Sequence, residues 1–197
     1  IKLRIKFLKY LYNQKLFGIK YHSDLNINFY SSCDFALPNS LEELKKSVSN
    51  CYLCDLSKTR KHTLFGYGNQ NSKIMFICDE PSKSEDDLGS FFVGNAGEML
   101  AKMIEGSLKI KKEEVYTTNL VKCRGTKEAS FQNFESCNCY LLKQIDIIKP
   151  KIIIAVGERV HDYLLKNSGD FLKNRGKVLS FNSAILVPIF SPLYLLK

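Results

Sequence analysis

Short apolar runs that alternate with helical patterns are the feature that most constrains the fold of this 197-residue chain. The runs are rich in β-branched and aromatic residues and have the length of buried strands. They lie at Lys73–Ile77, Val115–Thr118, Ile152–Val156 and Ile185–Phe190. Helical patterns fall before and between them, near Leu41–Ser49, Ala96–Ser107, Glu135–Lys149 and Glu158–Asn167. This alternation predicts an α/β fold, a three-layer α/β/α sandwich with a central, mainly parallel four-stranded sheet.

A ligand site is expected where those strands end. In open parallel sheets, ligands bind in the crevice beyond the carboxyl ends of the strands. Four segments fall there, namely Cys78–Ser82, Asn119–Arg124, Gly157 and Ser191-Pro192. We therefore expect their side chains to share one edge of the sheet.

The charge of the chain is basic and unevenly distributed. Lys and Arg number 29 against 20 Asp and Glu, and residues 1–22 supply +6 of the net +9. Such an excess favours a polyanionic partner. We expect residues 1–40 to form a basic, helical extension and residues 41–197 to form the domain. Residues 1–22 fit a solvated amphipathic helix, a nucleic-acid-binding arm or a membrane-surface helix. No run of 18 apolar residues occurs, so a membrane-spanning segment is not expected. The expected partner of the chain as a whole is not a membrane.

Seven cysteines are an odd number for a disulfide framework. With no secretory signal visible, a reducing cytoplasm and a metal role are favoured over disulfides. Cys51 and Cys54 have the two-residue spacing with which two thiolates bind one metal centre. That spacing fits zinc, an iron–sulfur cluster or a redox dithiol. Cys123 and Cys137 or Cys139 could complete a set of four ligands.

Cys51–Lys197, about three quarters of the chain, resembles the family 4 uracil-DNA glycosylases, the iron–sulfur branch of that superfamily. The matching segments occur in the family's order. They are CYLCDLSKTR from Cys51, GYGNQNSKIMFI from Gly66, EDDLGSFFVGNAGEML from Glu85, VYTTNLVKCR from Val115, YLLKQIDIIKPKIIIAVG from Tyr140, Arg175-Gly176 and SPLYLLK from Ser191.

The resemblance implies a [4Fe–4S] cluster. Its ligands would be Cys51, Cys54, Cys123 and one later cysteine. Counting back along a helix without gaps favours Cys137, whereas the usual family spacing from Cys123 favours Cys139, and we prefer Cys137. The cluster is expected to be structural, with redox signalling as the alternative. Cys33 and Cys78 are then expected to be free thiols.

The resemblance also assigns residues that recognise the base. A glycosylase must extrude the nucleotide, stack its base and read its polar edge. By its place in the motif, Phe92 would stack on uracil. Asn119 would read the uracil edge, because an amide offers a donor and an acceptor together. Glu85 matches a second acid of the family and is assigned to the catalytic set.

Two motifs depart from the family pattern. Asp79 stands where the family has a Glu thought to orient water or to stabilise the developing sugar cation. Glu80 replaces a small residue, so its side chain is expected to fill the base slot or to supply a displaced carboxylate. Ser191 replaces a His that donates to the uracil oxygen, and a serine can donate but cannot carry a positive charge.

These observations favour a DNA glycosylase of base excision repair that hydrolyses the N-glycosidic bond of uracil, or of another damaged base. A catalytically impaired, glycosylase-like DNA-binding module is the alternative, because both site motifs are altered. The expected partner is DNA, single- or double-stranded, bound by a monomer. Six cations are expected to contact its phosphates, namely Lys58, Arg60, Lys61, Lys122, Arg124 and Arg175.

Overall fold

The computed structural model describes residues 37–166 and 169–196 of the chain. Most of the predicted basic extension, residues 1–36 with Cys33, therefore lies outside the described residues. The three interpretations of residues 1–22 and the domain boundary at residue 40 stay predictions.

Within the described residues, six strands form one sheet in the order β1-β3-β2-β4-β6-β5. Their bounds are β1 Tyr67–Gly68, β2 Ile74–Cys78, β3 Tyr116–Asn119, β4 Ile152–Val156, β5 Leu179–Phe181 and β6 Ala184–Ile189. The four central strands are parallel, as predicted, whereas β1 and β5 pair antiparallel at the two edges. The sheet is thus wider than the four strands expected, because edge strands of two and three residues leave no apolar run in the sequence.

Helices connect these strands and cover the sheet. They are α1 Leu41–Ser49, α2 Lys83–Leu88, α3 Gly94–Leu108, α4 Phe131–Ile148, α5 Glu158–Leu164, α6 Phe171–Asn174 and α7 Pro192–Leu195, with a 3₁₀ helix at Asp55–Lys58. The α4 helix begins earlier than predicted, because Ser130 and Asn133 form a capping box. No helix among the described residues is long and apolar enough to cross a bilayer.

Two apolar clusters pack on opposite faces of the sheet. On β2, Met75 and Ile77 pack with Leu141 of α4 in one cluster. Phe76, between them, packs with Ile104 of α3 in the other. Successive residues of a strand point to opposite faces, so β2 is covered on both sides. This confirms the three-layer sandwich.

The register brings the carboxyl ends of the four central strands to one edge of the sheet. Cys78, the last residue of β2, pairs with Asn119, the last residue of β3. On the other side of β2, Val156 of β4 pairs with Ile189 of β6. The chain runs from β2 to β3 on one side and later to β4 on the other, so β2 marks a switch point where such folds bind ligands.

Candidate active site and cysteine cavity

Four of the cysteines line one cavity beside the α4 layer. Cys51 and Cys54 lie between α1 and the 3₁₀ helix, Cys123 lies in the loop after β3, and Cys137 lies on α4. We call the cavity that these four residues line the cysteine cavity. Cys139 is not among the residues that line it. The structure therefore brings the preferred set of four together, and their role as ligands stays a prediction.

Burial controls the chemistry of these thiols. It raises the pKa of Cys54 and of Cys123, and it raises the pKa of Cys137 to about 12. The Arg60 guanidinium opposes this at Cys123, because its Nη1 donates to Cys123 Sγ at 3.1 Å. The same atom donates to Cys51 O at 2.9 Å, so Arg60 braces two sides of the cavity. Thiols with raised pKa values lose their protons when a metal centre takes their place.

The chemistry of four thiols admits more than one metal centre. Among residues 37–166 and 169–196, no group of three or more Cys, His or acidic side chains is arranged to hold a metal ion. Zinc would hold each sulfur about 2.3 Å from a single centre, whereas in a cubane cluster each thiolate binds a different iron. The resemblance to the iron–sulfur family favours the cluster.

Asn119 presents an unused donor at the end of β3. The residue is 3% exposed, and its Nδ2 has no hydrogen-bond partner among the described residues. Its backbone carbonyl accepts from Lys122 Nζ at 2.6 Å. An unsatisfied buried donor costs free energy that a bound acceptor can recover. The site predicted from the motif therefore has one open hydrogen bond.

Phe92 is held in a strained backbone conformation. Its φ is 63°, in the left-handed region that a bulky residue rarely adopts. Its N–H donates to Glu85 Oε1 at 3.1 Å. A Cβ on Gly97 would lie 2.8 Å from Phe92 Cα, so only glycine lets α3 approach so closely. The ring packs edge-on against Tyr67 and in one cluster with Val156, near the end of β4.

Glu85 positions the loop that carries Phe92. Its Oε2 accepts from Ser82 N at 2.9 Å in the capping box of α2, while Oε1 accepts from Phe92 N. Both carboxylate oxygens are thus bonded to backbone. Strain such as that at Phe92 persists only where the surroundings fix it, and Glu85 supplies one of those restraints.

Asp79 is paired with a residue that the sequence did not indicate. Its Oδ2 lies 3.2 Å from Arg159 Nη1. Arg159 follows β4 by three residues, donates to Ala129 O and lies 5.0 Å above the Phe134 ring. One indication of Arg159 was present in the sequence, namely its position two residues after Gly157. Gly157 lies at a strand end that was already expected to face the site.

Glu80 is bound by the loop that follows β3. Its Oε2 accepts from Ala129 N at 2.6 Å, and its Oε1 lies 3.3 Å from Arg124 Nη1. The side chain is 8% exposed. Burial raises the pKa of Glu80, while the Ala129 N–H and the Arg124 charge act in the opposite direction. Glu80 thus joins two loops at the sheet edge.

Ser191 caps the short helix α7. Its Oγ accepts from Tyr194 N at 3.3 Å, which leaves the hydroxyl hydrogen able to donate elsewhere. A Cβ built on Gly157 would lie 3.2 Å from Ser191 Cβ, so the ends of β4 and β6 meet closely. We call Asp79, Phe92, Asn119 and Ser191 the strand-end site.

The cations predicted to contact DNA differ in how exposed their side chains are to solvent. The prediction for Lys122 is wrong, because its side chain is 0% exposed and cannot reach a phosphate. Arg60 braces the cysteine cavity, and Arg124 lies against Glu80. Lys58 and Arg175 are exposed, as is Lys61, which pairs with Asp87 at 2.6 Å.

Residues 65–197 match the family model of the Uracil DNA glycosylase superfamily. The chain is 37% identical over 142 residues to a type-4 uracil-DNA glycosylase of Saccharolobus solfataricus, covering 71% of this chain. It is 35% identical over 120 residues to that of Archaeoglobus fulgidus, covering 60% of this chain. It is 32% identical over 161 residues to that of Thermotoga maritima, covering 80% of this chain.

The share of each relative that is matched differs. The chain spans 66% of the length of the Saccharolobus protein and 60% of that of the Archaeoglobus protein. It spans 83% of the Thermotoga protein. The family match over residues 65–197 includes the strand-end site and Cys123 and Cys137, and it begins after Cys51 and Cys54.

Proposed function

The chain belongs to the type-4 branch of the uracil-DNA glycosylase superfamily, and from that premise we propose that it removes uracil from DNA in base excision repair. The single observation that carries the proposal is the buried Nδ2 of Asn119, an unused donor at a parallel-sheet edge. A carbonyl on the edge of an extruded base would satisfy that donor. Asn119 then discriminates by pairing, since its amide matches an imide edge and mismatches the amino group of cytosine.

Phe92 supports the extruded base in this proposal. Base–aromatic stacking contributes about 1–3 kcal/mol per base. A stacking ring must keep its place while the base enters, and the backbone bond to Glu85 and the close approach of Gly97 fix the position of Phe92. Glu85 acts as a positioning residue for Phe92.

Cleavage breaks the bond between the sugar C1′ and the base nitrogen, and the electron pair leaves with the base. Ser191 donates its hydroxyl hydrogen to the base oxygen on which negative charge develops. Asp79 stabilises the positive charge that develops on the sugar and orients the water that adds to C1′. Arg159 holds the carboxylate of Asp79 in place.

The proposed cofactor is a [4Fe–4S] cluster bound by Cys51, Cys54, Cys123 and Cys137, with Cys139 as the alternative fourth ligand. The set is supported by the cysteine cavity, because these four cysteines line it and Cys139 does not. The cluster would supply ligand bonds between the segment before the sheet and the loop after β3. Its role is structural, because those bonds cross-link parts of the chain that are distant in sequence.

The remaining assignments concern the setting of the reaction. We propose single- or double-stranded DNA as the partner, a monomer as the active form and the cytoplasm as the compartment. A monomer is supported because one chain supplies every residue of the strand-end site and of the cysteine cavity. Unbridged cysteines throughout the described residues suit a reducing compartment.

The test is excision from an oligonucleotide that contains one uracil, followed by alkali to cleave abasic sites. A thymine-containing oligonucleotide is the matched substrate control. We expect uracil release well above the buffer rate and a loss of at least about 100-fold in Asn119→Ala. Asn71→Ala, at an exposed loop position, should retain the activity. No release by the wild-type protein over buffer would refute the proposed activity.

A glycosylase-like DNA-binding module is the second candidate. It is favoured by one observation, namely that Asp79, Glu80 and Ser191 all have partners within the chain. Groups already bonded are less available to a substrate. DNA binding without uracil release would select this function.

A further inference from the structure

Lys122 is a buried cation that the proposed reaction does not use. Its side chain is 0% exposed and is among the largest fully buried side chains. It lies between β3 and Cys123. Burying an ammonium is costly unless the charge is both paired and hydrogen-bonded. The surroundings of Lys122 should therefore contain a compensating negative charge.

The hydrogen-bond partners of Lys122 are neutral. Its Nζ donates to Thr118 Oγ1 at 2.7 Å and to Asn119 O at 2.6 Å. Among the described residues, none of the ion pairs within 4 Å involves Lys122. These bonds orient the ammonium but do not neutralise it.

The missing negative charge lies in the cysteine cavity. Lys122 itself lines that cavity together with Cys123 and Cys137. Burial opposes the charge of its ammonium, and negative charge on Cys137, Cys123 or Cys139 would stabilise it. Protonated thiols carry no charge, whereas thiolates that hold a metal cluster do. The buried cation is compensated only when the cysteines are ligands.

We propose that Lys122 is a positioning residue: it is the internal counter-charge of the cysteine-bound cluster, and the same ammonium fixes the backbone of Asn119. The role rests on the proposed function, which it deepens by linking the cofactor to base recognition. Arg60 is a second, more exposed cation at Cys123 Sγ, but it makes no contact with β3 in the described bonds.

A buried network makes this link rigid. Thr118 Oγ1, which accepts from Lys122, donates to Phe65 O at 2.9 Å. Gln144 Nε2 on α4 donates to the same carbonyl at 2.8 Å. Thr118, Lys122 and Gln144 are all 0% exposed. Networks of satisfied buried polar groups hold their members in one arrangement, so a change at Lys122 reaches the end of β3.

The experiment compares three variants of the full chain, each reconstituted anaerobically with iron and sulfide. Lys122→Met removes the charge and the donors, whereas Lys122→Gln removes the charge and keeps a donor. Lys143→Met on α4 is the control, since Lys143 pairs with Asp146 near the surface. The readouts are the reduction potential of the cluster, and kcat and KM for uracil release.

For both Lys122 variants we expect the cluster's reduction equilibrium to shift at least tenfold toward the oxidised form, about 59 mV for one electron. Loss of a nearby positive charge disfavours adding an electron. Lys122→Met should also lose about tenfold in kcat with little change in KM, while Lys122→Gln loses less. Lys143→Met should match the wild type.

The outcomes separate the two proposals. An iron-loaded Lys122→Met with the wild-type potential overturns the counter-charge role, and an unchanged kcat overturns the link to Asn119. Should Lys122→Met fail to fold, Lys122→Gln decides the counter-charge role by its potential. A wild-type protein that holds the cluster but releases no uracil refutes only the proposed activity. The reduction potential of its cluster can still be compared with that of the Lys122 variants to test the counter-charge role. A wild-type protein that binds no iron overturns the cofactor and this role together.

Discussion

The cysteine cavity and the strand-end site are built from residues that alternate along the chain, but they differ in how their polar groups are satisfied. In the strand-end site, Asp79 is paired with Arg159 and Ser191 caps α7. In the cysteine cavity, buried thiols have raised pKa values, and the buried ammonium of Lys122 faces them without a carboxylate. The strand-end site has internal partners for its substituted residues and an open donor on Asn119, whereas the cysteine cavity is proposed to bind a cofactor.

This difference indicates that the two regions contribute to different properties, one to the stability of the fold and the other to the rate of the reaction. The cysteine cavity brings together the four thiols of its motif, and the proposed cluster would bind all of them. At the strand-end site, Asp79 and Ser191 have internal partners, and among the described residues the buried Asn119 Nδ2 has none. The cofactor should therefore matter most for folding, whereas the substitutions should affect mostly the rate of reaction.

The largest effect is expected at the cysteine cavity. Cys123→Ser should abolish iron binding and lower the melting temperature by at least about 10 °C, because ligand bonds join distant segments. Iron content and thermal unfolding measure this. Cys78→Ser, at the end of β2, is the matched control and should keep both properties. A Cys123→Ser protein with full iron content would contradict the role of Cys123 as a ligand, and with it the proposed difference between the two regions.

Measurement of iron content also decides whether Cys137 or Cys139 is the fourth ligand. Cys137→Ser should lose iron as Cys123→Ser does, since Cys137 lines the cavity. Cys139→Ser should retain it. The reverse result would assign Cys139 as the ligand.

The salt dependence of DNA binding tests whether the exposed cations contact phosphates and the buried Lys122 does not. If three phosphates are contacted, affinity should fall about 40-fold between 50 and 200 mM salt, whatever the base sequence. Lys58→Met should reduce the slope of log affinity against log salt by about 0.9, whereas Lys122→Met should leave it unchanged, because Lys122 is buried. Fluorescence anisotropy at several salt concentrations measures both slopes. An affinity that ignores salt would contradict the expectation.

The substitutions at the strand-end site should have a smaller, kinetic effect. Ser191→His alone should raise uracil release less than about threefold, because a histidine is a poorer cap for α7 and Asp79 stays short. The triple change Ser191→His, Asp79→Glu, Glu80→Ala should raise it at least tenfold, about 1.4 kcal/mol in the barrier. Initial rates with a uracil oligonucleotide measure this.

The control is the same triple change in the Asn119→Ala background, which should show no rescue. A gain of tenfold from Ser191→His alone would identify Ser191 as the main defect. An inert triple variant that still binds DNA would favour the binding-module function.

The smallest effect concerns Glu80 and pH. Burial raises the pKa of Glu80 in the folded state, so the folded protein binds the proton more tightly than the unfolded chain does. Its contribution to stability is therefore present at low pH and is lost as pH rises through the folded pKa. Relative to wild type, Glu80→Gln should gain stability as the pH rises above the ordinary carboxyl pKa of 4.5, by less than about 1 kcal/mol.

Urea unfolding at several pH values measures that gain. Glu42→Gln, at an exposed carboxylate on α1, is the control for a general effect of losing one charge. A difference between Glu80→Gln and wild type that stays constant with pH would contradict the assignment.

The sequence by itself determined the architecture of the sheet. Continuous apolar runs such as Ile152–Val156 are typical of strands buried on both faces, and helical patterns between them favour parallel connections. This also fixed the strand ends, and with them the place of Asn119. The runs at the sheet edges were too short to be recognised, because two or three residues carry no periodic pattern.

Tertiary structure decided the partners of the side chains. Nothing local to Asp79 indicates Arg159, eighty positions later, and nothing near Glu80 indicates the backbone of Ala129. Residue spacing left Cys137 and Cys139 open, whereas the turn of α4 places Cys137 on the cavity. Lys122 was predicted to contact phosphate because of its place near a strand end, and only the tertiary structure shows that its side chain is buried. Periodicity encodes which face of an element is buried, but a pairwise contact exists only once two distant segments have packed together.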